Sequence, residues 1–266
     1  MSSRPGYVVR VQGHLDNQWA GWFGDWTWHH HPDGTTTLSS DDADQAQLHG
    51  LLATLRDLNA IIVSVSAQPP RLPTLPNAIT TRRLTLRPAK PADADATWTY
   101  RHLPEVGEWL TEIPADPEAY RETFSQPERL SSTVIVERDG RVIGDFLLRI
   151  DDAWAQVEAP AELQARQAEL GWVLDPSETG KGYATEAVDA LIGECFTTLG
   201  VRRITANCFR GNEASRRLME RVGMRCEQHA VRESLHRSGR WLDTLTYALL
   251  ADEYFSKRDG GSAANA

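Results

Sequence analysis

Residues 170–187 read LGWVLDPSETGKGYATEA. An apolar run rich in strand-forming residues ends at Asp175-Pro176, two glycines follow at Gly180 and Gly182, and a helical pattern then begins. This order predicts a strand, a tight turn and the N-terminus of a helix. The first amides of a helix have no intrahelical acceptor, and the helix dipole adds roughly half a positive charge there. The turn is therefore predicted to bind a phosphate.

Spacing separates this turn from two other phosphate-binding motifs. A Walker A loop needs a glycine where Asp175 stands and a Ser or Thr where Gly182 follows Lys181. A dinucleotide fingerprint needs a third glycine at the position of Thr185. The alternative that stays open is a plain strand-to-helix turn, whose glycines only supply unusual backbone dihedrals.

Several segments around the turn occur in a characteristic order. They are Val173-Leu174, Gly180 to Ala187, Ile204 to Ala206, Asn212 to Ser215 and Leu218 to Met224, with residues 81–88 before them and 241–250 after them. Together they resemble the GNAT family of acetyl-CoA-dependent N-acetyltransferases, and within it the RimJ/RimL-type branch. The resemblance covers about residues 80–250. It implies an α+β or α/β GNAT fold, in which helices flank a mixed, twisted central sheet, and it implies an acyltransferase activity.

Four prolines between residues 69 and 76 predict an extended join between two domains. We expect a small α+β accessory domain over residues 1–67, a proline-rich linker over 68–79, the acetyltransferase domain over 80–255 and a disordered tail over 256–266.

The accessory domain is expected to contain strands, one helix and a core rich in tryptophan. Turn residues at Pro32-Asp33-Gly34 predict a hairpin. Asp41 or Asp42 is expected to cap a helix that runs to about Asn59. The cluster of Trp19, Trp22, Trp26 and Trp28 favours a core over a partner surface.

In the second domain, alternating or apolar runs predict strands, and three- and four-residue spacing predicts helices. The predicted strands are 84–87, 133–137, 142–149, 170–174, 203–209 and 241–250. The predicted helices begin near Pro91, Ala184 and Glu213, and residues 151–168 are expected to be an excursion between strands.

The composition argues against several classes of function. The chain of 266 residues has a formal net charge of -9, which argues against nonspecific nucleic-acid binding. No segment has the roughly 18 consecutive apolar residues of a membrane helix, and the N-terminus lacks an apolar signal core. The three cysteines form no Cys-x-x-Cys pair, so neither disulfides nor a metal are expected. We expect a cytoplasmic protein whose partners are acetyl-CoA and an amine, with a homodimer as an option and neither nucleic acid nor membrane.

The family resemblance assigns the coenzyme contacts. It implies that Gly180, Lys181, Gly182, Tyr183, Ala184 and Thr185 hold the pyrophosphate through backbone amides. It places the pantetheine arm against Val173 and Leu174, and it brings Asn212 and Ser215 to the coenzyme from the next helix. Ser177 stands where the family usually has Gln or Arg, which weakens one contact.

Acetyl transfer also needs a neutral amine. A lysine-like amine with a pKa near 10.4 is neutral only about one time in a thousand at a pH of about 7.4, whereas an α-amine with a pKa near 7.8 is already roughly a third neutral. Glu169, at the start of the strand before the turn, is the predicted base. A solvated carboxylate is the alternative, and Glu112, Glu158 and Glu233 are rivals.

The departing thiolate needs a proton. Many GNAT enzymes have a tyrosine at the position of Met219, which cannot donate one. Ser215 is the predicted replacement, with Tyr183, water or an unassisted departure as alternatives. Because Met219 and Ser177 depart from the pattern, a second hypothesis is a non-catalytic acyl-CoA-binding regulatory protein whose N-terminal domain recruits a partner.

The acceptor amine is expected next to residues 98–130, by family analogy. Trp98, Tyr100, Trp109, Glu112 and Tyr120 lie in this segment, and Trp109 and Glu112 are the predicted substrate-binding residues.

Overall fold

A computed structural model describes residues 6–15, 17–24, 26–31, 33–40, 43–68, 75–156, 158, 160 and 167–256. The chain divides into two compact units, residues 1–72 and 73–266.

The first unit is a four-stranded sheet with one helix. Its elements are β1 (Gly6–Gln12), β2 (Thr27–His30), β3 (Thr35–Ser40), α1 (Gln45–Asp57) and β4 (Ile62–Gln68). The strand order is β2-β3-β1-β4, and every pairing is antiparallel. Leucines spaced three and four residues apart on α1 pack against the valines of β1, which explains why this helix stays on the sheet.

The cap of α1 lies later in the chain than we predicted. Asp41 and Asp42 fall outside the described residues, and Asp44 is the N-cap. Its carboxylate accepts from the amide of Gln47 at 2.9 Å, and the Gln47 side chain accepts from the amide of Asp44 at 2.8 Å. This reciprocal capping box selects Asp44 over its acidic neighbours, because Gln47 stands three residues after it.

The tryptophans of this unit are mainly core residues, as predicted. Trp26 is buried, and Trp19 and Trp28 pack against the same core. Trp22 differs, since 58% of its surface is exposed.

The second unit is an eight-stranded sheet with six helices among its described residues. Its strands are β5 (Ile79–Thr80), β6 (Thr85–Pro88), β7 (Thr133–Arg138), β8 (Arg141–Asp151), β9 (Gln167–Leu174), β10 (Arg203–Phe209), β11 (Arg225–Leu235) and β12 (Trp241–Leu250). Its helices are α2 (Ala94–Arg101), α3 (Pro104–Gly107), α4 (Pro117–Phe124), α5 (Pro127–Ser131), α6 (Tyr183–Thr197) and α7 (Glu213–Arg221). The strand order is β11-β12-β10-β9-β8-β7-β6-β5, and β9 with β10 is the parallel pair among the described pairings.

Helices cover both faces of this sheet. Asp145 of β8 bonds to Tyr100 and Arg101 of α2. Trp172 of β9 bonds to Ser215 of α7 on the other face. Since neighbouring strand residues point to opposite faces, α2 and α7 lie on opposite sides of β8 and β9.

The described end of the predicted linker belongs to the second unit. Leu75 is buried, and β5 begins at Ile79. β9 begins at Gln167, so the predicted excursion ends earlier than expected. β11 was missing from the predicted strands. Nothing among the described helices is both long and apolar enough to cross a membrane.

Candidate functional site

A wedge opens between the two parallel strands. Their pairing covers only Gln167–Glu169 of β9 and Arg203–Thr205 of β10. From Leu170 and Ala206 onward the strands have no pairing with each other in the described structure, so backbone groups on their inner edges lack a strand partner. The wedge is part of a cleft of about 1560 Å³ that also reaches the glycine turn and the segment 101–129.

The glycine turn presents backbone amides to this cleft. Gly180 has φ +74° and Gly182 has φ +83°, the left-handed region that glycine adopts without strain. Gly182 is the N-cap of α6 and supplies no side chain, and the first helical bond runs from the amide of Glu186 to its carbonyl. Within the described chain, the amides of residues 180–185 donate to no protein acceptor. They are therefore free to bind an anion.

Glu186 ties this turn to the start of the sheet. Its carboxylate accepts from the Thr81 hydroxyl at 2.6 Å, the Arg83 amide at 2.9 Å and the Arg83 side chain at 2.7 Å. Burial opposes the charged form, yet these hydrogen bonds hold the pKa of Glu186 below its usual value. The turn is thus fixed to the segment before β6.

Lys181 and Tyr183 turn their side chains to neighbouring charged groups. The Lys181 ammonium pairs with Glu178 at 2.9 Å, and its carbonyl accepts from Arg83. The buried Tyr183 ring lies 4.5 Å from the Arg83 guanidinium and 5.3 Å from that of Arg138. Tyr183 lines the cleft and Lys181 does not, so Lys181 offers only its backbone there.

Helix α7 forms the opposite wall of the wedge. The Asn212 side chain caps α7 by accepting from the Ser215 amide at 3.1 Å. The Ser215 hydroxyl accepts from the indole N–H of Trp172 at 3.2 Å. Arg221 donates to the Thr185 hydroxyl at 3.0 Å, and Arg217 and Arg221 both line the cleft. Arg221 adds positive charge next to the glycine turn, whereas Arg217 pairs with Glu213 at 2.6 Å. Sequence reasoning missed both arginines.

Glu169 lies at the closed end of the wedge. One carboxylate oxygen pairs with Arg149, and the other accepts from the side-chain amide of Asn207 at 3.2 Å. Its side chain is 24% exposed. Asn207 lines the cleft, whereas Glu169 does not. The carboxylate therefore reaches the cleft through Asn207 and not directly.

Two rivals of Glu169 lie apart from the cleft. Glu233 accepts from the Thr244 hydroxyl and is exposed. Glu158 is exposed as well, and neither lines the cleft. Glu112 does line it, from an exposed position at the end of the cleft formed by the segment 101–129, the acceptor end.

Neither Met219 nor Ser177 lines the cleft. Met219 is completely buried, so the side chain at this position faces the core. Ser177 donates to Asp175 from its amide at 2.9 Å and from its hydroxyl at 2.8 Å, and it is absent from the cleft wall.

The predicted acceptor segment lines the cleft only in part. Trp109 and Tyr120 lie in its wall, and Trp109 packs against Gly211 after β10. The expectation for Trp98 and Tyr100 was wrong, because neither lines the cleft. The ring of Tyr100, a residue of α2, is buried. Burial and the neighbouring Asp145 raise the pKa of the Tyr100 hydroxyl well above the usual value.

A buried ion pair that sequence reasoning missed stands at this end of the cleft. Asp145 is 2% exposed and accepts from Arg101 at 2.6 to 3.0 Å and from the Tyr100 hydroxyl at 2.9 Å. Burial opposes the charge of Arg101, yet Asp145 raises its pKa. An acidic residue inside an apolar strand, at VIGDFLL, is the signal that could have revealed it.

Cys208 also lines the cleft. Burial raises the pKa of its thiol to about 11. The thiol is therefore protonated at neutral pH, which disfavours a role as a nucleophile.

The donors along the cleft fit coenzyme A. Unpaired strand edges suit the amides of a pantetheine arm, and the free amides of residues 180–185 suit a diphosphate. A Cβ atom built on Gly180 would meet no other atom within 4 Å, so there is open space above the turn. Among the described residues, no group of three or more His, Cys, Asp or Glu side chains could hold a metal ion.

Each of the two units matches a known family model. A model described as an acetyltransferase (GNAT) domain matches residues 83–225. A second model, described as a domain of unknown function (DUF8691), matches residues 6–66.

Individual relatives agree with the first match. The chain is 30% identical over 182 residues to the uncharacterized N-acetyltransferase p20 of Bacillus licheniformis, covering 65% of this chain and 96% of that protein. It is 36% identical over 86 residues to the uncharacterized N-acetyltransferase YnaD of Bacillus subtilis (strain 168), where the match spans only 50% of that relative and 32% of this chain. A solved structure of Mycobacterium smegmatis RimJ in complex with CoA-disulfide aligns with a TM-score of 0.53 at 26% identity, covering 64% of this chain and 83% of RimJ.

Proposed function

Because the chain belongs to the GNAT family of N-acetyltransferases, we propose that its cleft binds acetyl-CoA and a primary amine and transfers the acetyl group to that amine. The acceptor is a protein N-terminal α-amine or a small-molecule amine. The observation that carries the proposal is that one cleft joins the β9–β10 wedge, the free amides of the glycine turn and the segment 101–129.

The coenzyme would lie along the wedge and end at the turn. Val173 and Leu174 offer strand edges to the pantetheine arm, and the amides of residues 180–185 bind the pyrophosphate. Arg221, which bonds to Thr185 of the turn, adds charge that favours phosphates. Asn212 and Ser215 approach from α7.

Acetyl-CoA supplies the activated acetyl group, and the chain supplies a neutral amine. We propose that Glu169 receives the amine proton through a water beside Asn207, whose side-chain amide donates to one oxygen of the carboxylate at 3.2 Å. Arg149 orients this carboxylate on its other oxygen.

Ser215 is the proposed proton donor to the thiolate. The indole N–H of Trp172 donates to its oxygen, which leaves the hydroxyl proton free to point into the cleft. A donor so oriented stabilises the developing charge on sulfur.

The N-terminal unit is proposed to be an accessory domain of about residues 1–67 that folds around its own core. Support comes from the separate cluster of buried residues in this unit and from the family model that matches residues 6–66.

Thiol release tests the proposal. Purified protein is incubated with acetyl-CoA and a panel of peptides, amino acids, polyamines and aminoglycosides, and free thiol is followed over time. Amine-dependent thiol release supports the transferase. Micromolar binding of acetyl-CoA without turnover of any amine would favour the non-catalytic acyl-CoA-binding protein instead.

A further inference from the structure

Arg129 of α5 carries a charge that the acceptor end of the cleft does not neutralise. Its side chain lines the cleft and is 36% exposed. The nearest carboxylate is that of Asp145, whose Oδ2 lies 3.9 Å from Arg129 Nη2. This separation is beyond hydrogen-bond distance.

Asp145 is already occupied by other donors. Its Oδ1 accepts from Tyr100 and from Arg101 Nε, and its Oδ2 accepts from two Arg101 nitrogens. The cluster therefore holds two guanidinium groups and one carboxylate. Arg101 and Asp145 neutralise each other, and Arg129 remains as a net positive charge.

The groups that face Arg129 leave this charge in place. Arg101 repels it, Tyr120 is neutral, and Glu112 contributes only weakly from the exposed rim. Burial and the charge of Arg101 lower the pKa of Arg129. A partly desolvated guanidinium without a hydrogen-bonded anion is costly, so an anionic ligand would bind there favourably.

We propose that Arg129 binds a carboxylate of the acceptor, so that the enzyme acetylates amines that also carry a carboxylate a few bonds away. This inference rests on the proposed function. The planar guanidinium matches a carboxylate through two parallel hydrogen bonds. Polyamines and aminoglycosides are disfavoured, because their additional ammonium groups would be repelled.

The strand register places Arg129 beside the proposed course of the pantetheine arm. Asp145 pairs across the strands with Val173, the residue proposed to touch the pantetheine arm. Neighbouring strands lie about 4.8 Å apart. Arg129, whose guanidinium lies 3.9 Å from the Asp145 carboxylate, is thus close to the strand position proposed to hold the pantetheine arm, which suits an amino acid or an acidic residue at a peptide N-terminus.

Matched pairs of acceptors test this inference. One pair is an α-amino acid and its carboxamide, and the other is a peptide with Asp as its first residue and the same peptide with Asn. A preference in the first pair identifies a free amino acid, and a preference in the second identifies an acidic N-terminus. In at least one pair, kcat/KM should favour the acid by about tenfold or more, as expected for a hydrogen bond between charged groups.

Arg129→Gln should abolish the preference for the acid, mainly by raising the KM for the acid. Arg129→Lys should keep part of the preference. Arg121→Gln is the matched control, because Arg121 pairs with Asp95 at the surface. Equal rates for acid and amide in the wild-type protein, or a preference that survives in Arg129→Gln, would overturn the carboxylate site while leaving acetyl transfer intact.

Binding provides a readout that is independent of turnover. Calorimetry in the presence of CoA compares the N-acetylated acid with its amide, in wild-type protein and in Arg129→Gln. The acid should bind wild-type protein about tenfold or more tightly, with no such difference in the variant. Equal binding by wild-type protein contradicts the inference, whereas selective binding without any acetyl transfer contradicts only the proposed function.

Discussion

The indole N–H of Trp172 donates to the hydroxyl oxygen of Ser215 at 3.2 Å, which links β9 to α7 across one wall of the wedge. In this contact the hydroxyl oxygen is the acceptor, so the hydroxyl proton remains available to a group in the cleft.

Ser215→Ala should lower kcat by about tenfold or more, which is below the roughly 10²- to 10⁴-fold that proton transfer by a side chain typically contributes, because water can replace part of the function. The acetyl-CoA dissociation constant should change little. Steady-state kinetics and calorimetry measure both. Trp172→Phe should give a smaller loss in kcat, and an unchanged kcat in Ser215→Ala would remove the serine from the proposed chemistry.

Glu169→Gln should reduce kcat by about a hundredfold, since a base contributes at least this much when the amine is protonated. The reduction should be larger for a lysine-like amine than for an α-amine. Glu233→Gln serves as the control, because Glu233 is exposed and lies outside the cleft wall. Equal activities of the two variants would rule out Glu169 as the base.

Gly182→Ala should weaken acetyl-CoA binding. A left-handed residue with a side chain costs about 1 to 2 kcal/mol, and the added Cβ would lie 3.4 Å from Arg83 Nη2. The expected rise in dissociation constant is about tenfold, which corresponds to about 1.4 kcal/mol. Gly50→Ala in α1 has open space and is the control. Unchanged binding in Gly182→Ala would show that the turn does not hold the coenzyme.

Glu186→Gln should destabilise the second unit by about 1 to 2 kcal/mol at neutral pH, because charged hydrogen bonds are lost. The pKa of Glu186 is lowered in the folded state, so its contribution is complete above its ordinary pKa near 4.5 and is lost as pH falls below that value. Urea unfolding at several pH values tests this. The difference between wild type and variant should shrink in acid, and a difference that does not change with pH would contradict the assignment.

Local sequence signals were sufficient to predict the strand, turn and helix at the centre of the fold. The strand, the glycine turn and α6 were predicted because the apolar run, Gly180, Gly182 and the helical spacing are adjacent in sequence. β11 was missed, because nearly all of its residues are exposed and no alternating apolar pattern marks it.

The acceptor end could not be predicted, because its parts are distant in the chain. Arg101 and Asp145 are separated by 44 positions, and their pairing depends on how α2 packs against β8. The wedge likewise depends on where the parallel pairing of β9 and β10 ends, which no local pattern specifies. The arginines of α7 were overlooked, since charges on a helix surface usually face solvent.

The most direct measurement follows an isotopically labelled acetyl group from acetyl-CoA to an amine by mass spectrometry while free thiol is counted. The label is expected to appear on the amine in equal amount to the thiol released, and Glu169→Gln is expected to slow both together. Acetyl-CoA that binds in the cleft while the label stays on the coenzyme with every amine, or thiol released without labelled amine, would contradict acetyl transfer as the function of this cleft.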